Sequence, residues 1–70
     1  MPRYFFHIEG QFPFRDETGT ELRDNRAAWR EALSLTRDIE SSLQPGESWS
    51  LDVKAGDRVL YRIRITSEEG

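Results

Sequence analysis

Residues 25–43, NRAAWREALSLTRDIESSL, decide the fold. At about 100° per residue, Ala28, Ala32, Leu35, Ile39 and Leu43 fall on one stripe, and Trp29 and Leu33 widen one flank of it. Arg26, Arg30, Arg37, Asp38 and Ser41 take the far side. Asp24 is a good N-cap, because its carboxylate can accept from the backbone N–H of Arg26 or Ala27. Gln44 precedes Pro45-Gly46, which stops the helix. The spacing predicts one amphipathic helix from about Asn25 to Leu43. The stripe is narrowest at Ala28 and Ala32, where helix and sheet can approach closely.

Both flanks of this helix alternate with a period of two. Upstream, Arg3 to Glu9 reads as a strand with Tyr4, Phe6 and Ile8 on one face and Phe5, His7 and Glu9 on the other. Gly10-Gln11 is a two-residue turn candidate, and Phe12-Pro13-Phe14 reads as a short second strand. Pro13 cannot donate to a ladder, so that strand belongs at an edge. Asp16-Glu17-Thr18-Gly19 is a turn, and Thr20-Glu21-Leu22 continues as an extended piece. Downstream, Trp49, Leu51 and Val53 alternate with Ser50, Asp52 and Lys54. After the Ala55-Gly56-Asp57 turn, Val59, Tyr61, Ile63 and Ile65 alternate with Leu60, Arg62, Arg64 and Thr66.

The expected fold is α+β, ordered β-β-α-β-β: a four-stranded, mainly antiparallel sheet with one helix packed on one face. The outer face, which no second helix covers, is expected to carry Phe5, His7, Glu9, Ser50, Asp52, Lys54, Leu60, Arg62 and Arg64. Residues 1–70 read as one small domain, with 67–70 as a frayed polar tail.

Seventy residues bury a modest core, so such a domain usually leans on disulfides, a metal or oligomerisation. With no cysteine and one histidine, disulfides, thiolate sites and a zinc cluster are excluded. Self-association is the support left, and a homodimer is expected. The net charge of −3 argues against bulk nucleic-acid binding, though a local basic face survives such a total. The sequence has no apolar run long enough to span a membrane and no signal-peptide pattern, so a cytoplasmic location is expected.

Met1-Pro2-Arg3-Tyr4-Phe5-Phe6-His7, the run Asp16 to Leu22 (D-E-T-G-T-E-L), the helix with Ala27-Ala28 and Glu31-Ala32, and Arg58-Val59-Leu60 together resemble a family of short bacterial proteins known as a domain of unknown function. Members are common in proteobacteria, often in many copies. The resemblance spans nearly the whole chain; the first two motifs are specific in combination, the last two are not. It implies a stand-alone cytoplasmic protein and carries no activity, cofactor or catalytic residue. The chain departs from the pattern after Glu9, where Phe12-Pro13-Phe14 replaces a more polar segment.

His7 is the one side chain whose unperturbed titration lies near neutrality. A general base needs a partner and a pocket, and no serine spacing ties a nucleophile to it. A structural strand histidine is the simpler reading, and no catalytic residue, cofactor or metal ligand is expected. Asp16, Glu17, Glu21 and Asp24 cluster around a turn, but their spacing fits no EF-hand loop. Phe5, His7, Arg62 and Arg64 match the chemistry of aromatic-plus-basic platforms for single-stranded nucleic acid, provided the first and last strands are neighbours. Against this stands a dimer surface that buries Phe5 and Leu60. Trp29 reads as core edge or as a protein-binding anchor. The candidate interaction surface is therefore Phe5, His7, Leu60, Arg62, Arg64 and Trp29. The favoured function is a non-catalytic protein-interaction module that self-associates; the alternative is a single-stranded nucleic-acid binder.

Overall fold

The computed structural model describes residues 1–11 and 13–69. Strand β1 is Arg3–Glu9, β2 Thr20–Glu21, helix α1 Asn25–Ser42, β3 Ser48–Ala55 and β4 Arg58–Thr66. The strands form one sheet in the order β2-β1-β3-β4, with every pairing antiparallel. The β-β-α-β-β order and the α+β class are those expected.

Asp24 starts the helix: in extended conformation, its Oδ1 accepts from the Ala27 N–H at 2.9 Å. At the other end Leu43 leaves helical geometry, and Gly46, at φ +84°, turns the chain toward β3. The helix lays Ala28, Ala32 and Ile39 against the sheet, where all three are buried. Opposite Ala28 and Ala32 lie Tyr4, Phe6, Leu51 and Val53 from the two central strands. Leu51 and Val53 are fully buried. Burying each such aliphatic side chain is worth about 2 kcal/mol. The Tyr4 hydroxyl donates to Asn25 Oδ1 at 2.8 Å, tying β1 to the first turn of the helix.

Two expectations are corrected. The second strand is Thr20–Glu21, pairing with Arg3 and Tyr4, and not residues 12–14. Of that earlier segment, Phe14 makes a single bridge to Ile8, Pro13 lies outside any strand, and Phe12 is outside the described residues. The bridge does not grow into a ladder, because the next donor along β1, the Phe6 N–H, is taken by the Asp16 carboxylate at 3.2 Å and not by a backbone carbonyl. The second correction concerns β4. Val53 pairs with Tyr61 but Lys54 pairs with Val59, so Leu60 is an extra residue in a bulge. A bulge reverses the face on which earlier side chains point. Val59 therefore moves to the outer face, 42% exposed, and Leu60 packs against the core. At the C-terminal side, Ser67 donates its N–H to Glu47 O at 2.9 Å, so the ladder extends one residue past β4.

Candidate functional site

The register sets out the outer face in rows that run β1 to β3 to β4. The rows are Phe5, Lys54, Val59; His7, Asp52, Arg62; and Glu9, Ser50, Arg64. Strands β1 and β4 are not neighbours, because β3 lies between them. Phe5 and His7 thus do not adjoin Arg62 and Arg64, as a continuous nucleic-acid platform requires. Asp52 occupies the gap and binds Arg62 in fork geometry, Nε to Oδ1 at 2.7 Å and Nη2 to Oδ2 at 3.1 Å. The Arg62 hydrogen bond holds the Asp52 carboxyl below the usual carboxylate range, against the opposing effect of burial. The same pair raises the Arg62 guanidinium.

The loop between β1 and β2 folds back over the β1 end of this face. Gly19 has φ +77°, and a Cβ there would come within 2.8 Å of the Phe5 ring and of the Arg3 side chain. Phe5 is half-buried in consequence. The Asp16 N–H donates to His7 Nδ1 at 3.1 Å. With Nδ1 accepting, the proton of neutral His7 sits on Nε2, an assignment made from the hydrogen bond. His7 thus has a backbone donor of the loop as its hydrogen-bond partner.

Asp16 is the hub of that loop. Its Oδ1 accepts from the N–H groups of Gly19 at 2.9 Å and Thr18 at 3.1 Å, and its Oδ2 accepts from the Phe6 N–H at 3.2 Å. Burial pushes its carboxyl up, but these three hydrogen bonds and the nearby His7 outweigh it and lower the carboxyl below its usual range. Two other acids of the cluster are engaged separately: Asp24 caps the helix, and Glu21 pairs with Arg3 at 3.2 Å. Among the described residues no three acidic, histidine or cysteine side chains converge to hold a metal. No helix there is long and apolar enough to cross a membrane.

The two edges of the sheet differ. In an antiparallel ladder, alternate residues direct both backbone groups to one side. Ile8 exchanges two 2.8 Å bonds with Phe14, so Tyr4, Phe6 and Ile8 face away from β3. Tyr4 is paired with Thr20, the Phe6 N–H is held by the Asp16 carboxylate, and Ile8 is bridged to Phe14. That edge is sealed. On the opposite edge, the Ser67 N–H points toward the β3 side, so Arg62, Arg64 and Thr66 direct their N–H and C=O groups outward. Among the described residues no strand pairs with them.

Trp29 of the helix stands beside this open edge, and Leu33 is exposed one turn further on. Trp29 is 38% and Leu33 42% exposed. The Trp29 ring is tilted 56° against Tyr61 of β4, with centroids 5.1 Å apart, so it stands at the core edge with one face outward. Arg26, Trp29 and Tyr61 line a cleft of about 360 Å³. Nearby, Arg23, Arg26 and Arg30 line a larger surface cleft of about 490 Å³ at the start of the helix. Of the six residues expected at an interaction surface, the structure places Arg62, Arg64 and Trp29 along the β4 side. It places Phe5 and His7 under the loop, and Leu60 against the core. Tyr61 and Arg26 were missed. Alternation puts Tyr61 on the inner face, and only the edge position of β4 leaves it beside an open cleft.

Comparison with curated proteins and with solved structures returns no match. A family model described as a domain of unknown function matches residues 3–66, the whole of the sheet and its helix. The chain belongs to that family, DUF6894.

Proposed function

We propose that the protein is a non-catalytic protein-interaction module that docks its partner by strand addition along β4, with Trp29 as the apolar anchor. The observation that supports this reading is the asymmetry of the sheet edges. The β1 side is closed by a two-residue strand, a bridge and a carboxylate, whereas nine-residue β4 runs along the other side unpaired among the described residues. An edge strand offers a ready row of donors and acceptors to another chain. Tryptophan, tyrosine and arginine, the residue types enriched among binding hot spots, meet beside it as Trp29, Tyr61 and Arg26. The nucleic-acid reading gains no such support, because Arg62 is held by Asp52 and the aromatic Phe5 lies under Gly19.

The test is peptide-display selection on the immobilised protein, counter-screened against Thr66→Pro. The Thr66 N–H points outward, so proline there removes a donor that the protein's own ladder does not use. Selected peptides are expected to bind the wild type, lose binding to Thr66→Pro, and slow amide exchange at Arg62, Arg64 and Thr66. Peptides that bind both proteins equally, with those amides unprotected, would refute a docking role for this edge.

A further inference from the structure

We propose that the occupant of the β4 edge is β4 of a second copy, paired antiparallel about a twofold axis at Ile65 so that Arg62 faces Glu68 of the partner subunit. The proposal rests on the reading of β4 as the docking edge and names its partner.

Charge and strand overlap together select the register. Outward-directed residues must pair with outward-directed residues, so the axis passes through a single residue and not between two. An axis at Arg62 sets Arg62 against its own copy, and an axis at Arg64 does the same for Arg64. An axis at Ile63 sets Arg62 against Arg64. Like charges directly opposite one another destabilise a strand pair. Moving the axis to Ile65 is the first step that removes every such clash. Arg62 then stands opposite Glu68 of the partner subunit, and Arg64 opposite Thr66 of the partner subunit. On the same face Glu68 of the partner subunit also lies diagonal to Arg64, which has no ion pair among the described residues. Glu68 and Glu69 are both exposed in the single chain.

The helix-side face is complementary as well. In this register Ile65 meets its own copy and Ile63 meets Ser67 of the partner subunit. Glu69 of the partner subunit arrives at Tyr61, where Trp29 and Arg26 line the cleft. One strand pairing thus brings an acid to the arginines of the outer face and a second acid to the cleft arginine, around an apolar centre at Ile65. An axis at Thr66 also avoids the arginine clashes, but it shortens the overlap by two residues and withdraws Glu69 from the cleft. The clustered arginines of β4 and the acids that follow it form a self-complementary segment in a chain whose net charge is −3.

The test uses the full chain. Light scattering after size exclusion is expected to show a dimer at high micromolar concentration. Thr66→Pro and the double variant Glu68→Arg/Glu69→Arg are each expected to weaken it at least about tenfold. Because the chain has no cysteine, register is read directly from single-cysteine variants. Ile65→Cys places two thiols across a non-hydrogen-bonded pair, with Cα atoms about 4.5 Å apart, within disulfide reach. Ile63→Cys leaves its copy displaced by four residues, about 13 Å along the strand. Oxidation is expected to cross-link the first and not the second. Circular dichroism checks that both variants fold. A wild type that stays monomeric overturns the self-pairing, even if selected peptides still bind the wild-type edge; that outcome leaves the docking-edge reading standing. A dimer indifferent to Thr66→Pro, or one that cross-links at Ile63 as readily as at Ile65, overturns the proposal too.

Discussion

Removing the Asp16 carboxylate should open the loop that covers the β1 end of the outer face. The side chain accepts three backbone N–H groups at 2.9 to 3.2 Å. Hydrogen bonds to a charged group are worth about 1.5–3 kcal/mol when shielded. Here the bonds are unequal. The Thr18 N–H lies in an exposed turn, where water substitutes at small cost. The Phe6 N–H sits in the gap between β2 and the Phe14 bridge, where no strand among the described residues offers a carbonyl. Counting the Phe6 bond nearly in full and the turn bonds lightly gives about 2 kcal/mol for Asp16→Ala. For a domain of this size that is a drop of about 10 °C in Tm.

Asp16→Asn keeps an acceptor and loses the charge, so about half of that loss is expected. The two proteins also differ in pH dependence, and the sign is fixed. The folded Asp16 carboxyl titrates below its ordinary value. Its contribution is therefore fully present above the unfolded value, about 3.9, and is lost as pH falls through the lower folded value. Asp52 titrates in the same direction but is common to both proteins, so it cancels in the difference. Urea unfolding followed by tryptophan fluorescence should show a gap between wild type and Asp16→Asn that is steady near neutrality and shrinks below about pH 4. Faster exchange of the Phe6 amide should accompany both variants. A gap that stays constant down to pH 3, or an Asp16→Ala protein as stable as wild type, would show that the carboxylate does not hold the loop.

Two further expectations test packing. Gly19→Ala should destabilise more than Gly46→Ala, measured by the same urea titration. Both glycines have positive φ, but a Cβ at Gly46 meets nothing within 4 Å, whereas at Gly19 it meets the Phe5 ring and the Arg3 stem at 2.8 Å. Strain alone is worth about 1 kcal/mol, so equal losses would argue that Gly19 does not cover Phe5. Leu51→Ala, at the fully buried centre of β3, should cost about 2–5 kcal/mol and leave little folded protein at 37 °C by circular dichroism. A Tm within a few degrees of wild type would place the core elsewhere.

The helix was legible because its signals are local. Asp24 caps it, Pro45-Gly46 ends it, and Ala28, Ala32 and Ile39 recur at its period. Alternation in the outer strands was equally plain at Trp49 to Val53. The two misreadings occur where local pattern is ambiguous. Phe12-Pro13-Phe14 looks like a strand by composition, yet pairing is a property of two segments, and Ile8 accepts only Phe14. Val59 and Leu60 are both branched and apolar, so nothing local tells which one faces the core, and the choice falls to a bulge against Lys54.

The candidate site was half legible for the same reason. Arg62, Arg64 and Trp29 stand out by type and position, but their meaning depends on neighbours far away in sequence. The acidic turn was read as turn and cap. Its further role, a carboxylate that completes the β1 edge at Phe6, appears only once the loop is folded over the strand.

By itself the sequence determined the class: one amphipathic helix between two pairs of extended segments, which can bury its stripe only against a sheet. Periodicity and capping are short-range, so they survive in the linear text. Strand order was decided by tertiary structure alone. Inserting β3 between β1 and β4 separates Phe5 and His7 from the arginines, sets Asp52 against Arg62, and leaves β4 with Tyr61 and Trp29 at an open edge. These consequences follow from long-range backbone pairing, which side-chain alternation does not encode.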